Sequence, residues 1–206
     1  MGTAGSGIQF QLRGIGGASL INGNTPTTGG FDGAVLFPLG NRISIGPTAG
    51  FQWINSSIVN SIGSHQPGST FIDTSAGFKN GNFGGTVGFP FGGFQLGIQG
   101  GATVANSTIT QQSGFCGLGN ATSPAGCTVT NTTTTHDTVV GPFVGGYIQH
   151  SIFAHVGVFV GYDYSRLKIT LPSSGSTPTS SQTTLDLNRN TVEAGFTFYV
   201  GDLLKH

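Results

Sequence analysis

Eight stretches in which apolar residues alternate with small or polar ones, very little charge, and connections of alternating length together predict an all-β fold. The expected architecture is an eight-stranded antiparallel up-and-down transmembrane β-barrel with four long extracellular loops and three short periplasmic turns. Charged residues make up 7% of the 206-residue chain, against about 25% in soluble domains. Gly contributes 37 residues and Phe 16, too much of both for a surface kept wet by ionic side chains. No uninterrupted apolar run of ~18 residues exists, so a transmembrane helix is not expected. Few charges without such a run leaves either Gly/Ser/Thr-rich disorder or strands with one face in lipid, and Phe, Val and Ile at period two select the strands. The length fits one domain, with the barrel over 1–200 and a short periplasmic C-terminal tail over 201–206.

The strands follow in order from the alternation. Strand one, 7–20, sets Ile8, Phe10 and Leu12 against Gln9, Gln11 and Arg13; strand two, 30–38, sets Phe31, Val35 and Phe37 against Asp32 and Ala34. Strand three, 42–54, is the clearest, with Ile43, Ile45, Pro47, Ala49, Phe51 and Trp53 opposite Ser44, Gly46, Thr48, Gly50 and Gln52. Its Pro47 removes a ladder donor, and a local bulge is expected there. Strand four, 80–91, places Phe83, Val87, Phe89 and Phe91 outward, and strand five, 93–106, does the same with Phe94, Leu96, Ile98 and Val104. In strand six, 138–149, Val140, Val144 and Ile148 compete with Phe143 and Tyr147 for the outer face. Strand seven, 152–169, opposes Val156, Val158, Val160, Tyr162 and Tyr164 to His155, Gly157, Gly161 and Asp163. Strand eight, 185–200, opposes Val192, Ala194, Phe196, Phe198 and Val200 to Glu193, Gly195, Thr197 and Tyr199. The second face is Gly, Ser, Thr and Gln, too small and uncharged for a soluble exterior but suited to the lumen of a narrow barrel. Short connections fall at 38–41, 92–93 and around 150–151, and long ones at 21–29, 55–79, 107–137 and 170–184.

The terminal segment 192–200 resembles the last strand read by the outer-membrane insertion machinery, in which a Gly is followed three and five residues later by hydrophobic or aromatic residues. Gly195, Phe198 and Val200 occupy those places; Val200 departs from the usual Phe, and the chain runs on past it. The eight-strand, long-loop layout is similar to the small barrels of the opacity-protein and outer-membrane-protein-A transmembrane superfamily. That resemblance spans nearly the whole chain, and it implies location in the bacterial outer membrane, in contact with its lipid and lipopolysaccharide, without specifying an activity. The N-terminal residues lack the charged and apolar regions of a signal peptide, so the sequence is expected to be the mature, exported form.

Arg13, Asp32, Asp163 and Glu193 fall on the lumenal face and are expected to form an internal charge network. Strands one and eight become neighbours on closure, which puts Glu193 within possible pairing reach of Arg13, and Asp32 sits on the adjoining strand two. A functional constellation for ions or catalysis is the sharper alternative. Cys116 and Cys127, an even pair within one loop of an exported chain, predict a disulfide; with only His136 nearby they lack metal-ligand spacing. His155 is expected low in the lumen. Lipid A deacylase, a family of eight-stranded outer-membrane enzymes, resembles the chain in size and uses a His and a Ser near the outer rim. Here His150 and Ser151 are adjacent and on the periplasmic side, so no catalytic, cofactor or metal site is expected. Four Asn-x-Ser/Thr sequons, at Asn55, Asn106, Asn120 and Asn131, reflect loop composition, and no modification is assigned.

With a formal net charge of zero, no basic stripe for nucleic acid exists. Ile58, Val59, Ile62, Phe115 and Leu118 are apolar residues in expected outer loops rimmed by Ser, Thr and Asn, the composition of a contact surface. The functional expectation is therefore a structural or surface-interaction barrel, with self-association or a surface polymer as partner. A small-solute channel is the alternative, and a lipid-modifying enzyme a third. Lumenal Gln side chains argue for a filled interior, whereas the many lumenal glycines leave room for water.

Overall fold

The computed structural model describes residues 8–21, 23–40, 42–118, 126–153, 155–170 and 184–199. Eight strands follow in chain order: β1 (Gln9–Ile21), β2 (Thr27–Leu39), β3 (Ile43–Gly63), β4 (Thr70–Phe91), β5 (Phe94–Cys116), β6 (Cys127–Phe153), β7 (Val156–Thr170) and β8 (Thr184–Tyr199). Each pairs antiparallel with its sequence neighbours, and β8 returns to β1 to close the ring. The β-branched and aromatic residues of these segments suit a pleated surface. Gly92 and Gly93 both take positive φ between the paired Phe91 and Phe94, the requirement of a two-residue hairpin turn.

Paired residues traced once around the ring run Gln11, Ala34, Thr48, Gly84, Gly101, Phe143, Ser165, Arg189 and back to Ile21. The return is ten residues further along β1, so the strands tilt by roughly 40°. With that stagger, Phe10, Phe37, Phe89, Phe94 and Phe198 come to nearly one level beside the periplasmic turns. Leu20, Trp53 and Tyr164 mark the opposite rim. Between these levels the outward face carries no Asp, Glu, Lys or Arg among the described residues, and its apolar side chains stay open to the surroundings, Phe83 at 57% and Val160 at 54%. About ten residues per strand at this tilt span ~25 Å, the height of a lipid-facing band.

Inside and outside follow the alternation read from the sequence, and β6 is now fixed: Val140, Val144 and Ile148 face out, while Phe143 and Tyr147 are buried inside. Several boundaries differ. The connections expected over 55–79 and 107–137 are largely strand, because β3, β4, β5 and β6 continue well past the lipid band. Their tips shrink to 64–69 and 117–126. His150 and Ser151 belong to the β6–β7 ladder, and the turn lies beyond Phe153. His155 sits in that turn and is exposed rather than lumenal; its ring nitrogen Nδ1 lies 3.3 Å from the Tyr199 carbonyl. Pro47 causes no bulge. It stays in register opposite Gly85, and on the β2 side the pairs resume at Ala34 with Thr48 after a short lapse, which absorbs the missing donor. The register shifts of β3 occur instead at Ile54/Ser57 and Ile58/Asn60, above the band.

A cation on the lipid face near mid-height costs ~2–4 kcal/mol. Val160→Arg is therefore expected to abolish folding into lipid vesicles, read as loss of the heat-modifiable folded band, while Val139→Leu inside the barrel keeps it.

Candidate functional site: a filled lumen and an ordered extension

The interior is filled in layers. Nearest the periplasm, Gln95 Oε1 accepts from Gln11 Nε2 at 3.1 Å and from Gln149, and Thr197 Oγ1 donates to Gln149 Oε1 at 3.4 Å. Above them, the Arg13 guanidinium is clamped by Asp32, with Nε to Oδ1 and Nη2 to Oδ2 both at 2.7 Å. Its Nη2 also donates to Gln99 Oε1 at 2.9 Å, and its Cζ lies 4.1 Å from the Tyr147 ring centroid. Gln99 Nε2 continues to Asp163 Oδ1 at 3.0 Å. Higher still, Gln52 bridges two charges: its Nε2 donates to Glu193 Oε2 at 3.1 Å, and its Oε1 accepts from Arg189 Nη2 at 3.5 Å.

The partner of Arg13 is thus Asp32 on β2 and not Glu193. Direct opposition decides it, since Arg13 faces Asp32 across β1–β2, whereas on the other side it faces Thr197. Sequence reasoning missed Arg189, which is fully buried beneath the outer end of the lumen. Its parity with Thr191 and Glu193 was the available signal. Planar guanidinium and amide groups suit this crowded cross-section, as Arg13 shows with bonds to both Asp32 and Gln99.

A second layer was also missed. Ile21, Ile54, Ala76, Phe78, Ala105, Ile109, Val139, Leu167, Ile169 and Leu187 form one buried apolar cluster at the level where β1 ends. Seven of the eight strands contribute, so the barrel is stoppered by a dry core just outside the lipid band. Below the stopper, a cavity of about 10 Å³ lies among Ile15, Asp32, Thr48, Gln52, Asn82 and Asp163, room for about one water. Among the described residues, neighbouring side chains take up space beside lumenal glycines. At Gly97 a side chain would collide with the Tyr147 ring, 2.0 Å from the position of its Cβ.

Beyond the stopper the sheet continues as an ordered extension. Cys116 and Cys127 are direct cross-strand partners and form a disulfide, Cα to Cα 3.9 Å. The β3–β4 tip is tied to it: Gly68 N–H donates to the Cys116 carbonyl at 2.7 Å, and Cys116 N–H to Ser69 at 2.9 Å. His65 lies 3.0 Å from Asp73 and stacks on Phe71. Ile58, Ile62, Phe115 and Leu118 are exposed here, Leu118 at 81%. The side chain of Val59 and all of Val200 lie outside the described residues. On the β7–β8 hairpin, a hydrogen bond from Arg166 at 2.8 Å holds the exposed Asp186 carboxyl below its ordinary range. Of the terminal-strand positions, Gly195 faces inward, where Phe159 packs over it, and Phe198 faces lipid. Among the described residues no three His, Cys, Asp or Glu side chains converge as a metal site.

Closed ring, bare lipid band and filled polar lumen define a small eight-stranded outer-membrane barrel. No protein-family model matches the chain, and no curated protein does. Among solved structures it is similar to Ail, the attachment invasion locus protein of Yersinia pestis, at 10% identity over 94% of this chain and 100% of that one, TM-score 0.49. It is similar to a major outer membrane protein of Thermus thermophilus at 9% identity, covering 93% and 98% with TM-score 0.44. For the Neisserial surface protein A the identity is 9%, the coverage 94% and 97%, and the TM-score 0.42. These likenesses are of shape alone.

Removing one member of a buried ion pair costs ~3–5 kcal/mol, because the other stays buried and uncompensated. Arg13→Leu is expected to lower the urea midpoint of unfolding accordingly. The double variant Arg13→Leu/Asp32→Leu is expected to recover most of the loss, since a well-packed apolar pair is often neutral.

Proposed function

We propose that the chain is a bacterial outer-membrane barrel that carries no solute and acts through its extracellular extension as a surface-interaction protein. The apolar stopper supports this reading most directly: a channel needs a continuous wet path, and ten buried apolar side chains interrupt it. The extension supports the positive half. A connection needed only to reverse the chain would be short, yet β3 to β6 run far above the band, with β5 and β6 joined by the disulfide, and carry exposed Ile62, Phe115 and Leu118 at their outer end. Exposed apolar side chains held on ordered backbone lose little entropy when they are covered. The partner fitting such an apolar, sparsely charged tip is another copy of the barrel or a surface polymer, with outer-membrane lipid and lipopolysaccharide around its base. Catalysis is disfavoured because the buried carboxylates lie under the stopper, out of reach of a substrate. Gly195, Phe198 and Val200 are proposed to serve as the insertion signal.

The test trims the tips and spares the stopper. Residues 58–75 and 110–134 are each replaced by Asn-Gly between paired strand residues, which keeps Ala76 and Ile109 in place. Cells displaying the intact chain are expected to self-associate or to adhere to polymer-coated surfaces. Cells displaying equal amounts of the folded, trimmed barrel are expected to do neither. Equal association by both variants contradicts the reading.

A further inference from the structure

A separate site lies on the outward face, below the tips and directly above the lipid band. Trp53, Lys79, Asn106 and Thr138 are successive cross-strand partners on β3, β4, β5 and β6, so they form a single row across four strands. At strand spacing the row is roughly 14 Å long. The next row outward holds Gly77, Thr108 and His136, again direct partners. Together with Asn55, and with Asp137 between the two rows on β6, these residues line a hollow of about 580 Å³, within the ordinary size of a ligand site. Gly77 forms part of its floor. A Cβ there would stand 3.4 Å from the Ser56 backbone, an unstrained distance, so nothing in the packing requires glycine. Its lack of a side chain keeps the hollow open.

The chemistry around the hollow is specific. One face of the Trp53 indole lies against Gly29, where a Cβ would come within 2.6 Å of the ring, and the residue is still 45% exposed. The exposed part of Trp53 bounds the hollow's end, while its ring leans toward β2 with the Phe51 ring 6.3 Å away. Among the described residues, the polar groups here each make one side-chain bond and keep further bonding capacity. Thr138 Oγ1 donates to Asn106 Oδ1 at 2.8 Å, leaving the Asn106 amide N–H groups. Asn55 Nδ2 donates to Thr27 Oγ1 at 2.6 Å, leaving its Oδ1 as an acceptor. His136 Nδ1 and Thr108 Oγ1 are 3.3 Å apart, leaving the imidazole Nε2. Lys79 makes no ion pair among the described residues. Fixed donors and acceptors spaced a strand apart, beside an aromatic platform, match a ligand with ring faces and many hydroxyls.

We infer that this hollow binds a saccharide chain lying across the strands, with one sugar stacked on Trp53 and an acidic substituent opposite Lys79. Lipid or water alone accounts poorly for the row. An interfacial girdle needs Trp53 but not the ordered amides, and a snorkelling lysine needs no hollow beside it. Two sources carry this chemistry at this height: the phosphorylated sugars of outer-leaflet glycolipid, and free acidic polysaccharide.

Trp53 is the only tryptophan of the chain, so its emission reports the site without a label. The refolded intact protein is titrated with tetragalacturonic acid and with maltotetraose. It is separately compared in nanodiscs of phospholipid and of short-chain lipopolysaccharide. A saturable blue shift with the acidic tetrasaccharide supports the site with a free polysaccharide ligand. A shift confined to the lipopolysaccharide discs and lost in Gly77→Val supports it with the glycolipid. Lys79→Gln is expected to weaken acidic-ligand binding about tenfold and to leave maltotetraose unchanged. Gly77→Val, which fills the hollow while keeping Trp53, is expected to remove the response. No shift with any probe, or an undiminished shift in Gly77→Val, overturns the inference. The tip-trimmed barrel keeps every residue of both rows, so its expected binding separates this site from the surface-interaction reading.

Discussion

Backbone hydrogen bonding in a medium without water is the constraint from which the other features follow. Each peptide group in the lipid band must find a partner within the protein, and closure of β8 onto β1 meets that demand with no exposed edge in the band. A ring of eight strands with a ten-residue stagger has a fixed, narrow radius, just wide enough to be filled by side chains. What fills it is therefore a necessity of packing before it is a matter of function. Within the band the filling is mostly polar, held by the Arg13–Asp32 clamp and the Gln52 bridge around a small Ile15–Tyr147–Phe159 cluster.

Above the band water can satisfy free backbone groups, and the ring is released. Pairing of β1 with β2 begins beside Thr27, and that of β6 with β7 stops at Phe143 opposite Ser165. A sheet that opens to water needs its own apolar core. The stopper supplies one from residues on the same inward parity that carries Gln and Asp lower down. One structural element therefore has two consequences: it supports the extension, and it closes the lumen.

The sequence revealed most where the two faces differ strongly in hydropathy. Ile43 to Trp53 and Val192 to Phe198 could be assigned strand, facing and neighbours from alternation alone. It revealed least in the extension. Where Thr132, Thr133, Thr134 and Thr135 follow one another, both faces of β6 carry the same side chain, so a period of two leaves no trace. Thr is nonetheless a strong strand former, and that composition was the signal passed over in favour of a loop. The stopper was hidden for a related reason: Leu167, Ile169 and Leu187 fall within the expected strands and continue the lumenal parity but reverse its polarity, so alternation alone gives them no face. Pairing within the lumen needed register. Parity places Arg13, Asp32 and Glu193 on one face, and only the stagger shows that Asp32 stands directly opposite Arg13. The row from Trp53 to Thr138 joins residues from four strands and has no local motif.

The claim on which the rest depends is that a polar lumen under an apolar stopper is sealed. Single-channel recording of the refolded intact chain in planar bilayers addresses it directly. The sealed interior predicts a baseline without steps at either polarity and at high salt. Reproducible unitary conductance that scales with electrolyte concentration would contradict it.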